Sequence, residues 1–325
     1  MNVPSPLVLT GHEAAVYALA PWRGGLLSGG GDGLVAHWRA TPAGFADDGR
    51  AVARLDDRVF ALLPLARGGG RAAPAERPVI AVGTLTGDVY FVDAGAADRP
   101  PRRWRFHADG AFGLLQLPRR AGEPGDLLVG GGKGRLSRWR PDGSALVAHV
   151  GLDPGVRLRS LAYLASPGLV AVGTGAGDVH LLAPDSLRPV HVVARAHELT
   201  VFSLADAGDR FYSAGRDGKV RAWSATPPFR QLAHVDAHAA TVNALAYDAA
   251  SGVLASAGRD REARLWRRAG GGLVLAKALT TVRDGGHAAS VNACVWAGGL
   301  LATAGDDRTV RAWRIGDTPR VVTAD

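Results

Sequence analysis

The chain has 325 residues, 47 % of them apolar and 21 % charged, a balance that excludes an intrinsically disordered protein and can supply a sizeable core. Its single cysteine, Cys294, excludes an internal disulfide and is compatible with a reducing, cytoplasmic location. There is no apolar run of about 18 residues, and His12 and Glu13 interrupt the apolar N-terminal stretch, so we expect neither a membrane span nor a signal peptide.

Arginine carries almost all of the positive charge. The net charge is +8, and the only lysines are Lys133, Lys219 and Lys277. An Arg-, Ala- and Gly-rich, Lys-poor composition is typical of a GC-rich genome and favours a bacterial origin. The alternative is a basic surface that attracts acidic partners such as protein, RNA or DNA. Composition leaves both interpretations open.

An internal repeat runs through the chain. Four segments, at 28–38, 213–223, 256–266 and 303–313, place Asp four residues after Ser or Thr, and Trp six residues later. Each follows a His that has Val four residues after it. Three weaker copies lie between the first and second of these segments. The Trp-equivalent positions are 38, 92, 139, 182, 223, 266 and 313, which gives seven units.

Every unit predicts the same order of elements. A strand such as VYALA comes first, followed by a short apolar strand ending in small residues, such as LLATAG. A Gly/Asp turn then leads to an alternating strand such as VRAW or ARLW, and a looser β segment follows. Such short alternating strands between turns indicate an all-β protein. We expect the insertions at 66–78 and 118–126 to be exposed loops.

These features, with a Trp at the end of the third strand, resemble the WD40-repeat β-propeller family, although the Asp that usually follows the Trp is missing from the four strong copies. The resemblance implies an all-β, seven-bladed propeller with four antiparallel strands per blade, in a single domain spanning 1–325. The ring is expected to be closed by residues 6–10, with 319–325 as the alternative. The expected blades are 11–54, 55–106, 107–153, 154–196, 197–237, 238–286, and 287–325 plus 5–10.

Ser, His and Asp are also the ingredients of a hydrolytic triad. Four copies of one constellation argue against catalysis, and the resemblance implies structural tetrads that staple the strands of a blade. The tetrads are His12/Ser28/Asp32/Trp38, His197/Ser213/Asp217/Trp223, His238/Ser256/Asp260/Trp266 and His287/Thr303/Asp307/Trp313. Units 2 to 4 lack complete tetrads. Either apolar packing replaces the staple there, or that arc is more pliable.

The resemblance also places three positions per blade on a top face around the central channel. Read onto this chain, they predict a basic, aromatic surface with one acid. The candidate partner-binding residues are Tyr17, Arg58, Phe60, Phe112, Arg157, Arg159, Phe202, Arg216, Asn243, Arg259, Asn292 and Asp306. The alternative is that the phenylalanines only pack between blades.

The function expected from these residues is a non-catalytic scaffold, monomeric within a complex, that binds an acidic or aromatic-seeking segment of another protein. Nucleic-acid binding, RNA in particular, through the same face is the alternative, and a channel-centred enzyme is a third class. We expect no catalytic residue, no cofactor and no metal site. Cys294 falls at an apolar strand position, which favours a place in the core over a nucleophile.

Overall fold

The computed structural model describes residues 3–66, 79–95, 99–118, 124–153 and 155–316. These residues form seven four-stranded antiparallel sheets, whose innermost strands contact one another in a closed ring. The seven-bladed, all-β propeller predicted from the repeat is therefore confirmed. No helix in this part of the chain is long and apolar enough to span a membrane. The predicted insertion loops lie largely outside the described residues, and the alternative closing segment 319–325 lies wholly outside them.

The first three blades follow chain order from the inner to the outer strand. Blade one also carries a small hairpin between its third and fourth strands, formed by β5 (Ala40–Thr41) and β6 (Gly44–Phe45). Its sheet is β2 (Val16–Trp22), β3 (Gly25–Gly30), β4 (Leu34–Trp38) and β7 (Arg50–Arg54). Blade two is β8 (Val59–Pro64), β9 (Val79–Thr84), β10 (Asp88–Asp93) and β11 (Arg102–Arg105). Blade three is β12 (Ala111–Gln116), β13 (Leu127–Gly131), β14 (Arg135–Trp139) and β15 (Leu146–Gly151).

The remaining blades repeat this order until the last one. Blade four is β16 (Leu158–Leu164), β17 (Leu169–Thr174), β18 (Val179–Leu182) and β19 (Pro189–Val193). Blade five is β20 (Val201–Asp206), β21 (Arg210–Gly215), β22 (Lys219–Ser224) and β23 (Gln231–Asp236). Blade six is β24 (Val242–Asp248), β25 (Val253–Gly258), β26 (Ala263–Ala269) and β27 (Gly272–Leu279), followed by a short helix α1 (Thr281–Asp284). Blade seven is β28 (Val291–Ala297), β29 (Leu300–Gly305) and β30 (Val310–Trp313), with β1 (Leu7–Leu9) outermost.

Blade six departs from the prediction that the tetrad Trp ends the third strand. Trp266 lies inside β26, which continues for three more residues to Ala269 and pairs with β27 as far as Gly272. The expected strand end at Trp266 is therefore wrong. The physical reason is the tight turn at Gly270 and Gly271, whose φ angles of +56° and +82° let the two strands pair up to the turn.

The apolar core is divided among the interfaces between blades. The described residues form seven buried clusters, and each joins two neighbouring blades. The second strand of a blade is covered on both faces, so a strand such as β25 or β29 is buried at every residue. This explains why these segments are continuous runs of small and apolar residues and do not alternate.

Ring closure uses the N-terminal strand. β1 pairs antiparallel with β30, with Leu7 opposite Ala312 and Leu9 opposite Val310. Leu9 is 1 % exposed within the cluster that joins blades seven and one, whereas Leu7 is 37 % exposed. The pairing removes the free edge that β30 would otherwise present.

Shortening Leu9 tests the closure. We expect Leu9→Ala to cost about 2–5 kcal/mol of stability, because it opens a cavity at the seam of the ring. Leu7→Ala, two residues away in the same strand but 37 % exposed, should change the melting temperature little. The measurement is thermal unfolding of both variants, and equal melting temperatures for the two would contradict the assigned seam.

Candidate functional site

The four predicted tetrads form continuous hydrogen-bond chains. In blade five the Trp223 indole N–H donates to Ser213 Oγ at 2.8 Å. Ser213 Oγ lies 2.8 Å from His197 Nε2, and His197 Nδ1 lies 2.9 Å from Asp217. The sets in blades one and seven repeat this order through Ser28 and Thr303. With the histidine protonated on Nδ1, every donor and acceptor along the chain is used.

The tetrad of blade six is complete although its strand runs on past the Trp. The Trp266 indole N–H donates to Ser256 Oγ at 2.9 Å, and Ser256 Oγ lies 2.7 Å from His238 Nε2. His238 Nδ1 lies 2.8 Å from Asp260, and the Trp266 side chain is buried against blade five. The longer strand therefore changes the outer end of the blade and not the staple.

The Ser–His–Asp order of these groups is the same as in a hydrolytic triad, but the hydroxyl is buried. Ser28, Ser213, Ser256 and Thr303 are each 0 % exposed. The indole N–H of the tetrad Trp donates to the hydroxyl oxygen, so one lone pair of the would-be nucleophile is occupied. A substrate carbonyl has no approach to an oxygen placed in this way. What the arrangement does is join the strands of a blade through buried polar groups.

Three blades add a fifth member that sequence reasoning missed. Arg221 lies 2.8 Å from Asp217, Arg264 lies 3.8 Å from Asp260, and Arg311 lies 3.5 Å from Asp307. Each arginine comes two residues before the tetrad Trp, so the shared R-x-W spacing was the available signal. Burial opposes ionisation of Asp217, but hydrogen bonds from His197 and Arg221 outweigh it and hold its pKa far below the ordinary value.

Blades two, three and four replace the staple in different ways. In blade three, Ser137 on β14 receives the Trp139 indole N–H at 2.7 Å and lies 2.9 Å from His107 Nε2. A hydroxyl from the third strand thus substitutes for the missing one on the second. Blade two adds an ion pair between buried Asp88 and Arg103 on its outer strand, at 2.5 Å. Blades two and four carry buried aliphatic residues at the Ser and Trp positions, namely Val82, Val92, Val172 and Leu182.

A β-bulge in every blade aims one side chain into the central channel. In each first strand the pairing register shifts across one residue, which is left without a partner in the ladder. Bulges of this kind re-aim a side chain. The seven bulged residues line one cavity of about 270 Å³ and are Tyr17, Phe60, Phe112, Arg159, Phe202, Asn243 and Asn292. We call this cavity the channel mouth.

Blades one to five contribute an aromatic and cationic arc. Tyr17 and Phe60 stack with ring centroids 4.7 Å apart, and Phe60 meets Phe112 edge to face at 5.7 Å. The Arg159 guanidinium lies 4.7 Å from the Phe112 centroid and 5.4 Å from that of Phe202. Burial, with a smaller effect of the neighbouring arginine, lowers the pKa of Arg159 to about 10, so it remains charged at neutral pH.

Blades six and seven close the mouth with amides. The Asn243 amide donates to the Val291 carbonyl at 2.8 Å and to Ser290 Oγ at 3.2 Å. The Asn292 amide donates to Asp306 at 2.7 Å, so the one acid of the predicted face is already engaged. No carboxylate lies within salt-bridge distance of Arg159 in the described chain. The mouth therefore has a locked polar side and a charged aromatic side.

The other predicted face residues lie on the rim above the mouth. In a blade, the residue before the turn Asp bonds through its backbone to the residue before the first-strand Val. In blade five, for example, the Arg216 N–H donates to the Thr200 carbonyl at 2.9 Å. The same bond joins Arg259 N to Thr241 O and Leu85 N to Arg58 O. The Arg157 guanidinium carbon also lies 5.8 Å from the centroid of the Phe112 ring. The arginines exposed on this rim are Arg58, Arg157, Arg216 and Arg259.

Groups that would indicate other chemistry are sparse. In the described ranges no cluster of three or more His, Cys, Asp or Glu could hold a metal ion. Cys294 is buried in the cluster between blades six and seven, and burial raises the pKa of its thiol to about 12. The thiolate that nucleophilic chemistry needs is therefore absent at neutral pH.

The family described as "WD domain, G-beta repeat" matches residues 188–224, 229–267 and 277–314. Together with the fold, these matches confirm the resemblance to WD40-repeat propellers. Among curated proteins, "Telomerase protein component 1" of Rattus norvegicus is 31 % identical over 99 residues, and that of Mus musculus is 32 % identical over 99 residues. Each alignment covers 30 % of this chain and only 4 % of the relative.

Solved structures similar to this chain share its fold over nearly its whole length. The WD40 β-propeller domain of Doa1 has a TM-score of 0.77 at 16 % identity, covering 99 % of this chain and 98 % of that one. A chain of the Mitotic Checkpoint Complex has a TM-score of 0.77 at 18 % identity, covering 97 % and 93 %. The computationally designed Ika8 protein has a TM-score of 0.67 at 18 % identity, covering 96 % and 100 %.

Removing one staple hydroxyl tests its structural role. We expect Ser213→Ala to cost about 1–3 kcal/mol, because it leaves the Trp223 N–H and His197 Nε2 buried without partners. Ser166→Ala, at an exposed serine, is the control and should leave the melting temperature unchanged. An unchanged melting temperature for Ser213→Ala, accompanied by loss of an esterase activity of the wild type, would instead make Ser213 a nucleophile.

The staples also predict destabilisation in acid. Burial lowers the pKa of His12 and His197 below the ordinary 6.5, so the unfolded state binds protons first and stability falls as the pH drops below about 6.5. The pKa values of the tetrad carboxyls are lowered from 3.8, so a second loss follows below about pH 4. Melting temperatures measured from pH 8 to 3 check this, and a maximum near pH 5 would contradict it. The carboxyls concerned are those of Asp32, Asp217, Asp260 and Asp307.

Proposed function

We propose that this WD40-repeat propeller is a non-catalytic protein-interaction module whose channel mouth and Arg-rich rim bind an acidic segment of a partner protein. WD40 propeller domains generally mediate protein–protein interaction and are generally non-catalytic scaffolds. The observation that carries the proposal is Arg159, a half-buried guanidinium at the channel mouth that pairs with no carboxylate of the described ranges. We also propose that the propeller works as a cytoplasmic monomer within a larger complex, without a cofactor or metal.

Arg159 is held in a setting that favours an anion. The faces of Phe112 and Phe202 partly replace the water that its guanidinium loses, through cation–π attraction. They leave the hydrogen-bonding N–H groups of the guanidinium without acceptors among the residues that the structure describes. A carboxylate from a partner would complete this site with charge-assisted bonds, which are strongest where water is excluded. Arg157 beside it adds to the positive potential.

The neighbouring rings supply contact area. Tyr17, Phe60 and Phe112 form one contiguous aromatic surface next to the charge. Rigid aromatic side chains lose little rotamer freedom when a partner covers them, which is why they anchor protein interfaces. A segment that carries an acidic residue near an apolar one fits both halves of the mouth.

The same ring contacts favour a protein over a nucleic acid. Base stacking needs an open ring face, but Tyr17 and Phe60 already stack on each other and Arg159 covers one face of Phe112. Phosphate binding along a strand usually also draws on many cations; the rim supplies four arginines, but the cavity itself contains one. RNA is the alternative occupant, and ribonuclease treatment distinguishes it from a protein.

Charge reversal at the mouth tests the proposal. We expect Arg157→Glu with Arg159→Glu to abolish capture of the partner from host lysate, measured by affinity capture and mass spectrometry, because the partner's carboxylates would face like charges. The matched control is Arg188→Glu with Arg230→Glu, two exposed arginines in connections on the opposite face. Arg159→Gln removes the charge without burying a carboxylate and should weaken capture while the fold stays intact.

Two results would overturn the assignment. Undiminished capture by the mouth variants, with melting temperatures near that of the wild type, would remove the mouth from the interface. Capture that disappears after ribonuclease treatment of the lysate would replace the protein partner with RNA.

A further inference from the structure

A groove at the outer part of blade six combines an exposed valine with two arginines that form no salt bridge within the described part of the chain. It lies between the turn that joins β25 to β26 and the segment around α1, and it encloses about 440 Å³. Arg259, Arg261 and Val282 are among the residues that line it. We propose that this groove is a second docking site, for a partner-protein segment that carries carboxylates beside an apolar side chain. The proposal rests on the protein-interaction role above; Arg259 also belongs to the rim, whereas Arg261 and Val282 lie outside both the rim and the channel mouth.

The charges of the groove are unbalanced. Its two carboxylates are used internally, since Asp260 lies 2.8 Å from His238 Nδ1 and Glu262 lies 2.7 Å from Arg264. Arg259 and Arg261 are exposed, and neither has a carboxylate within salt-bridge distance in the described ranges. With Arg264, which also lies 3.8 Å from Asp260, three guanidinium groups accompany these two carboxylates, so the groove keeps a net positive charge.

Arg261 also occupies a strained backbone position. Its φ is +75°, in the left-handed region that a residue with a Cβ adopts only at a cost. Blades one to five place glycine at the same turn position, with φ between +72° and +98°. These are Gly33, Gly87, Gly134, Gly177 and Gly218. Glycine is thus the conformationally favoured residue here, and blade seven carries the same strain at Arg308. What distinguishes Arg261 is that its strained position borders the groove.

The groove lies where Arg261 replaces the glycine found at the same turn in blades one to five. In blade five the chain entering the next blade crosses directly over the glycine, with His238 N bonded to Gly218 O at 3.0 Å. A Cβ on Gly218 would come within 2.5 Å of the His238 carbonyl oxygen. With Arg261 in place of that glycine, the chain before His287 turns aside into α1, and the space between the two becomes the groove.

Val282 is presented by a fixed segment. It is 94 % exposed, on the first turn of α1. The buried Asp284 accepts from Lys277 at 2.6 Å and from the Thr280 backbone N–H at 2.9 Å, and the Thr281 hydroxyl donates to the carbonyl of residue 287. Because these bonds hold the turn, covering Val282 costs little ordering entropy.

Charge complementarity selects the occupant. Carboxylates satisfy Arg259 and Arg261, and an apolar side chain covers Val282. The described lining contains no aromatic ring on which a base could stack, which favours an acidic peptide over single-stranded RNA.

The test measures fluorescence anisotropy of a labelled peptide, EEDLEE, on the full chain. Its analogues QQNLQQ and EEDSEE remove the charge and the apolar side chain, and both should bind more weakly. We expect Arg261→Gly to weaken EEDLEE binding about tenfold while leaving the melting temperature unchanged or raising it by about 2 °C, because strain is relieved. Val282→Ser should weaken binding about fivefold without a change in melting temperature.

Arg308→Gly is the matched control. Arg308 occupies the same turn position in blade seven, with φ +65°, outside the groove. It should show the same thermal effect as Arg261→Gly and unchanged peptide binding.

The Arg157→Glu/Arg159→Glu variant separates the two proposals. If it still binds EEDLEE, the groove acts independently of the mouth. If it loses the peptide while Arg261→Gly keeps it, the groove proposal fails and the mouth stands. Absence of wild-type binding at millimolar peptide, or a lower melting temperature for Arg261→Gly, would also overturn the groove.

Discussion

Burial of each blade's second strand on both faces is the constraint on which the rest of the structure depends. A strand such as β29 can be fully buried only if a neighbouring sheet covers each face, so no blade has a complete core without two others. Each matched WD repeat accordingly begins in or just before the outer strand of one blade and runs into the third strand of the next. Because of this offset, blade seven has no outer strand of its own, and β1 supplies it. The pairing of β1 with β30 therefore closes the ring.

The polar staples follow from the same packing. Strands that are covered on both sides leave no water for a buried indole N–H or imidazole, so these groups must satisfy one another. The Ser213–His197–Asp217 order is chemically that of a hydrolytic triad, and the Trp223 indole turns it into a closed chain. Blade three shows that the buried groups need a hydrogen-bond partner but not one at a fixed position. There Ser137, on a different strand, completes the hydrogen-bond chain.

Much of the fold could be predicted because the repeat reports it seven times, and the seven channel-mouth residues could be located by their register from the first-strand Val. Other features could not be predicted from the sequence, for physical reasons. The bulge that aims Phe112 or Arg159 inward depends on pairing between two strands, which no single strand pattern records. The extension of β26 past Trp266 likewise depends on its partner β27 and the Gly-Gly turn between them. Helix α1 is too short for a periodicity, and its anchor is the contact of Asp284 with Lys277.

The polar groups that stabilise the blades are not spread evenly around the ring. Blades one and five to seven carry the complete staples, and three of these add an arginine to the tetrad aspartate. The chain also keeps unfavourable features, among them a half-buried Arg159 without a carboxylate partner in the described residues and a left-handed Arg261 where glycine would relax the turn. In the described residues both guanidinium groups lack a carboxylate, one at the channel mouth and the other at the groove of blade six. A rigid ring can hold such groups in place for a partner of the kind we propose, whereas a softer fold would let them turn to water.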